Sequence, residues 1–280
     1  MARDARPFLR RKLGRQLRQM REGAGKKIKD AAKVLDMSTS ALQRLEAGEV
    51  KPNIHVVKSM MDYYDHFVDG LLDQVRQARV PVWTEAFVPM GLGYVDVETE
   101  ANLVRELTLM HLPGLLQTEA YARALFRKSL MVRSAAQRDN EVKVRMIRQR
   151  RLSDDQRPLE LVAIVDESAF HVPVGGTEVM RAQLEKVASA ADLPSVTLQV
   201  LPRSLGGHGG MRAPFALLSF PDPNDPVMLY APYVNGARLH EDEDEAREAL
   251  SVFDHLRSEA LDPAASVALI ERLADELYGA

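Results

Sequence analysis

Thr39, Ser40, Gln43 and Arg44 are interleaved with Ala41, Leu42 and Leu45. If the segment is helical, the apolar three face a core and the polar four share the outward face. The chemistry available to that face is recognition of base edges. Arg44 offers paired N–H donors that match guanine O6 and N7, Gln43 can pair with an adenine edge, and Thr39 brings a methyl group suited to thymine. Lys26, Lys27 and Lys51, with the backbone N–H groups near Ser38, suit phosphate, which fixes register rather than sequence. Double-stranded DNA is therefore the partner to expect.

Such a face needs a rigid mount, and residues 27–48 supply one by reading as two short helices joined by a tight turn. Ile28, Ala31, Ala32 and Leu35 recur at i, i+3, i+4 and i+7, the spacing of one buried helical face. Met37 plugs the turn. Ser38 stands where an N-cap belongs, opening a reading helix over 38–46, and Gly48 is suited to close it as a left-handed C′ residue. Before the motif, Leu9, Leu13, Leu17 and Met20 form the stripe of a helix spanning about 7–22. After it, Asn53 can cap a helix whose Ile54, Val57, Met61 and Tyr64 face inward, and a fifth helix is expected near 66–79. Pro81 marks the boundary, giving domains 1–80 and 81–280.

Charge agrees with this division. Residues 1–60 hold 15 Lys and Arg against 6 Asp and Glu, a net of +9, whereas the remainder carries −12. Basic charge thus concentrates at the motif, as release of counterions from DNA phosphates requires. With no cysteine in 280 residues, disulfides, thiolate metal sites and cysteine nucleophiles are excluded. No apolar run is long enough for a membrane span and Met1–Asp4 has no signal-peptide character, so a cytoplasmic, nucleoid-associated protein is expected.

Beyond residue 81 the pattern alternates. Strands are expected over 103–112, 159–165, 196–201, 215–220 and 227–231, and helices near 118–127, 135–151, 176–190, 241–260 and 263–278. The fold class is thus an all-α five-helix domain followed by a mixed α/β domain. The seven histidines are scattered, without metal-ligand spacing or a nucleophile elbow, so neither an enzyme, a metal nor a cofactor is expected. Asp166-Glu167 reads as a helix cap after a strand, and Gly206–Gly210 as a mobile connection. Arg145, Arg148, Arg150 and Arg151 read as a solvated helix face.

Two resemblances add to this. Leu17–Glu22, Asp30–Leu35, Met37–Ser40 and Leu42–Gly48 resemble the lambda-repressor-like regulators of the xenobiotic-response-element type. That likeness implies a buried pair at Arg21 and Glu46. Two positions depart from it: Ile28 stands where many relatives carry a phosphate-bracing glutamine, and Asp36 where the turn usually has glycine. Pro113–Ala124, Arg148–Leu152, Val165–Ala169, Gly175-Gly176, Met180–Leu184 and Val200–Pro202 are similar to the C-terminal domain of antitoxin-like regulators common in actinobacteria. Together these imply a transcriptional regulator, expected as a homodimer, whose second domain senses a small molecule or a small protein encoded nearby. The alternative they imply is an antitoxin-like protein that sequesters such a partner and autoregulates its operon.

Overall fold

The computed structural model describes residues 8–80, 83–87, 93–129, 134–233 and 236–279. Pro81 and the expected helix start at residue 7 lie outside them. The chain divides into two compact units, Met1–Val97 and Glu98–Ala280.

Among the described residues up to Val80, the first unit contains five α-helices: α1 (Phe8–Gly23), α2 (Ile28–Val34), α3 (Thr39–Glu46), α4 (Ile54–Tyr64) and α5 (Leu71–Gln77). The helical stripes meet in one core, where Leu13, Leu17, Met20, Ala31, Ala32, Leu42, Leu45, Val57, Met60, Met61, Tyr64, Leu71 and Val75 are all buried. Four helices close in the same way. Gly25, Asp36, Gly48 and Asp65 each take a positive φ, between 49° and 67°, just past the ends of α1 to α4. The following N–H then reaches back to the last turn, as in Met37 N to Ala32 O (2.9 Å) and Glu49 N to Arg44 O (2.8 Å). These closures turn the chain sharply without leaving the final carbonyls unpaired. Asp65 and the left-handed Gly70 bracket a short connection, so α5 begins at Leu71 rather than near residue 66. The apolar Phe67 and Val68 make that connection resemble helix in the sequence.

The short helix α6 (Gly93–Glu100) precedes strand β1 (Leu103–Thr108), then α7 (Glu119–Lys128) and α8 (Ala135–Gln149). Next come β2 (Glu160–Asp166), the single turn α9 (Ser168–His171), α10 (Thr177–Ala190) and β3 (Val196–Leu201). The chain continues through β4 (Phe215–Ser219), β5 (Met228–Tyr233), β6 (Gly236–His240), α11 (Glu243–Glu259) and α12 (Pro263–Tyr278). The strands form one six-stranded sheet ordered β3-β2-β1-β4-β5-β6. β1, β2 and β3 are parallel, and β4, β5 and β6 join antiparallel. Helical crossovers precede each parallel pairing, as parallel strands demand. Strand alternation sends Leu107, Ile164 and Leu217 to the core beneath Phe253 and Leu256 of α11, and Glu106, Ala163 and Ala216 to the opposite face.

The fold class read from the sequence holds, with local differences. β1 ends at Thr108 instead of residue 112, because Gly114–Leu116 curls into a 3-10 turn closed by Leu116 N to Pro113 O (2.9 Å). Neither α6 nor β6 was legible. The β-branched residues of 93–100 mask a helix, and Gly236–His240 is too short and too exposed at the sheet edge to show an alternating pattern.

Candidate nucleic-acid interface

The outward face of α3 is built from its cap downward. Ser38 sits in extended conformation and its hydroxyl accepts from Ala41 N at 3.1 Å, satisfying one of the donors that a helix start leaves unpaired. The Ser38 and Ser40 hydroxyls lie 3.2 Å apart. Leu42 and Leu45 enter the core, while Ala41 is only half-buried. Ser40, Gln43 and Arg44 are exposed and Thr39 is half-buried at the first turn. Gln43 and Arg44 make no side-chain hydrogen bond or ion pair with the described residues, so their donors and acceptors remain available to an outside partner.

A buried ion pair fixes the far end of this helix. Arg21 of α1 donates from Nε to Glu46 Oε1 (2.7 Å) and from Nη2 to Oε2 (2.9 Å), a side-on fork with both side chains less than a tenth exposed. Its Nη1 also donates to Lys26 O at 3.1 Å. The hydrogen bond to Glu46 holds the Arg21 guanidinium above its usual pKa, outweighing the opposing effect of burial. Tyr64 lies near the same pair. Burial, reinforced by the Glu46 charge, pushes its phenol up to about 12, and the hydroxyl has no hydrogen-bond partner among the described residues.

Backbone contact completes the mount. A β-carbon on Gly14 would stand 2.4 Å from the Glu46 carbonyl oxygen, and one on Gly48 would stand 2.8 Å from the backbone of Arg10 and Arg11. Both glycines are therefore required by the approach of α1 to the end of α3, and Gly48 also by its φ of 67°.

The expected phosphate ligands are placed unequally. Lys27 and Lys51 are exposed, but Lys26 is half-buried with Nζ 5.2 Å from the Tyr63 ring centroid. Lys27 lines a depression with Arg18, Arg21, Ile28, Gln43, Glu46 and Ala47, between α1 and α3. Its rim is basic, although Arg18 is already engaged with Glu22 at 2.8 Å. Ile28 contributes no donor there. Asp36 adopts the left-handed turn conformation at φ 53°, which aspartate tolerates better than most residues.

The second unit corrects the reading of its arginines. Arg150 is exposed, but the other three are not a solvated face. Arg148 donates from Nε to Glu98 Oε1 (2.6 Å) and from Nη2 to Oε2, with Glu98 almost wholly buried. Arg151 donates to the carbonyls of Glu98 (2.6 Å) and Ala101 (2.7 Å), and Arg145 Nη1 donates to Gln117 Oε1 (2.5 Å). Gln149 Nε2 donates to the carbonyls of Gly114 (3.0 Å) and Gln117 (2.8 Å), and Gln183 Nε2 donates to Leu116 O (2.8 Å). The segments around Pro113, Arg148 and Met180 therefore converge to hold the 113–118 turn. Their 3.6-residue spacing gave no sign of this, because the contacts join elements distant in sequence.

Gly206–Gly210 is also more than a mobile connection. His208, 3% exposed at its side chain, bonds through Nε2 to Asp166 Oδ2 at 2.9 Å, and Gly210 is buried. The other Asp166 oxygen accepts from Ser168 N at 2.8 Å, the capping role expected after β2. Among the described residues no group of three or more His, Asp or Glu side chains could hold a metal ion, and no helix is long and apolar enough to cross a membrane.

A model described as a helix-turn-helix domain matches residues 12–69, and one described as a domain of unknown function, DUF5753, matches residues 93–272. No curated protein and no solved structure matches the chain.

Proposed function

The chain belongs to the DUF5753 family and carries a helix-turn-helix domain, and from that premise we propose that it is a sequence-specific transcriptional regulator controlled by its second domain. One observation carries the reading: α3 offers Gln43 and Arg44 outward without partners, on a helix held at both ends by a cap and a buried ion pair. Thr39, Ser40, Gln43 and Arg44 read base edges in the major groove. Lys27, Lys51 and the N–H groups beside Ser38 hold phosphates, and Lys26 contributes field from its position over Tyr63. Residues 1–80 are the DNA-binding domain and 81–280 the controlling one. A two-fold dimer sets two reading helices about 34–36 Å apart and selects an inverted repeat.

Selection of bound duplexes from a randomised pool by the full chain, at fixed salt, tests this. Enrichment of an inverted repeat is expected. Arg44→Ala then weakens binding to that repeat by about 1–3 kcal/mol and relaxes one base preference. Identical sequence profiles for wild type and variant would remove Arg44 from the reading face, and a pool that emerges without any enriched sequence would remove the function.

A further inference from the structure

Arg21 and Arg148 each use the same edge of the guanidinium, Nε with Nη2, to grip a glutamate side-on. Arg145 presents that edge to nothing. Its Nη1 is held by Gln117, its Nε is buried without a hydrogen-bond partner, and no described group bonds its Nη2. The guanidinium is nonetheless held in place: its carbon lies 4.6 Å from the Phe126 ring centroid and its Nη1 is bonded to Gln117. A β-carbon at Gly114 would stand 3.8 Å from Cζ and Nε, in ordinary van der Waals contact on the Nε side.

Glu106 of β1, which acts on Arg145 through space, is half-buried and makes no hydrogen bond or ion pair with the described residues. In the sheet, Glu106 pairs with Ala163 on one side and Ala216 on the other, and Ala216 pairs with Tyr230. Small residues flank the carboxyl, with the tyrosine one strand further on. We propose that Arg145 receives the carboxylate of a small organic acid on its Nε/Nη2 edge, with Glu106 and Tyr230 contacting the same ligand.

Charge supports an anion here. Glu98 is spent on Arg148, and Arg145 has no carboxylate bonded to it, although Glu98, Glu106 and Glu141 act on it through space. Burial, with repulsion from Arg148, lowers Arg145 to about 10, so it stays protonated at neutral pH. Burial raises Glu106 to about 7 against the opposing pull of Arg148, with Glu98 adding to the rise and Arg145 opposing it. The neutral acid can donate a hydrogen bond to an incoming carboxylate, whereas the ionised form repels it. Binding is therefore strongest below the Glu106 pKa and is lost as pH rises through it. Between pH 6 and pH 8 the protonated fraction, and hence the affinity, falls about tenfold.

Reading this site as the effector site rests on the regulator function proposed above, so the site is tested without DNA. Titration calorimetry of the full chain with sodium acetate, succinate, benzoate and inorganic phosphate at pH 6 and pH 8 measures it. At least one carboxylate is expected to bind, more tightly at pH 6 and more tightly than phosphate. Arg145→Lys keeps the charge but loses the planar edge, and weakens binding about tenfold or more. Glu106→Gln keeps binding and removes its pH dependence. Gly114→Ala, a milder change beside the same guanidinium, weakens binding severalfold and serves if Arg145→Lys does not fold. The proposal is overturned if wild type binds no carboxylate, if phosphate binds in preference to all three, or if neither position 145 nor 114 alters affinity. DNA binding by the same preparations is measured separately: its loss alone strikes the regulator reading, and loss of carboxylate binding alone strikes the site.

Discussion

Arg21–Glu46 in the helical unit and Arg148–Glu98 in the sheet unit share one geometry but stand in different company. Arg21 lies beside an apolar core, and its remaining donor capacity is taken up by Lys26 O and Glu22. Arg148 stands in a crowd with Arg145, Arg151 and Glu106, where carboxylates and guanidiniums do not cancel one to one. A closed pair in apolar surroundings sets the position of an element. A crowded group in which one guanidinium bonds no carboxylate leaves a member that, on the proposal above, can respond to something outside.

The largest effects probe that contrast directly. Glu46→Ala and Glu98→Ala should each cost about 3–5 kcal/mol in urea unfolding, because each strands a buried arginine. Replacing both partners separates the two cases. Arg21→Met with Glu46→Leu should restore most of the loss, since only one pair is removed and its surroundings are apolar. Arg148→Met with Glu98→Leu should restore less, because Arg151 loses the attraction of the Glu98 carboxylate, although Arg145 is freed of repulsion from Arg148. Equal recovery would dissolve the distinction.

Next in size, Gly14→Ala should destabilise the helical unit by about 1–3 kcal/mol, the usual cost of overpacking, and weaken operator binding by displacing α3. Calorimetric unfolding together with gel-shift titration checks both. Ser38→Ala should cost about 1 kcal/mol through the lost cap. The smallest change is a gain: Asp36→Gly should relieve a left-handed aspartate and stabilise by about 0.5–1 kcal/mol, visible as a raised unfolding midpoint.

Sequence legibility followed the range of the interactions. The helices of the first unit, the Ser38 cap and the Gly48 closure all depend on residues within a few positions of one another, and their spacing exposed them. The parallel strands β2 and β3 were legible for the same reason, as dense apolar runs. The arginines of α8 were misread because their spacing on the helix is that of a solvated face, whereas their partners lie tens of residues away at Glu98 and Gln117. His208 and Asp166, separated by 42 residues, were invisible for that reason too. The position of Lys26 over Tyr63 was hidden likewise, because α2 and α3 lie between them in the chain.

The contact of Gly14 with the end of α3 has a consequence for how such a protein can diversify. Where two helices meet through side chains, a substitution on either can tilt one against the other, and aim changes along with chemistry. At Gly14 the meeting is backbone on backbone, with no rotamer to adjust, and the side chains that also join α1 to α3, Arg21 with Glu46 and the core leucines, all lie on the buried side. The angle of α3 is thereby uncoupled from the identity of its outward residues. If positions 39, 40, 43 and 44 read base edges as proposed, they can exchange one operator for another while the helix that carries them keeps its bearing.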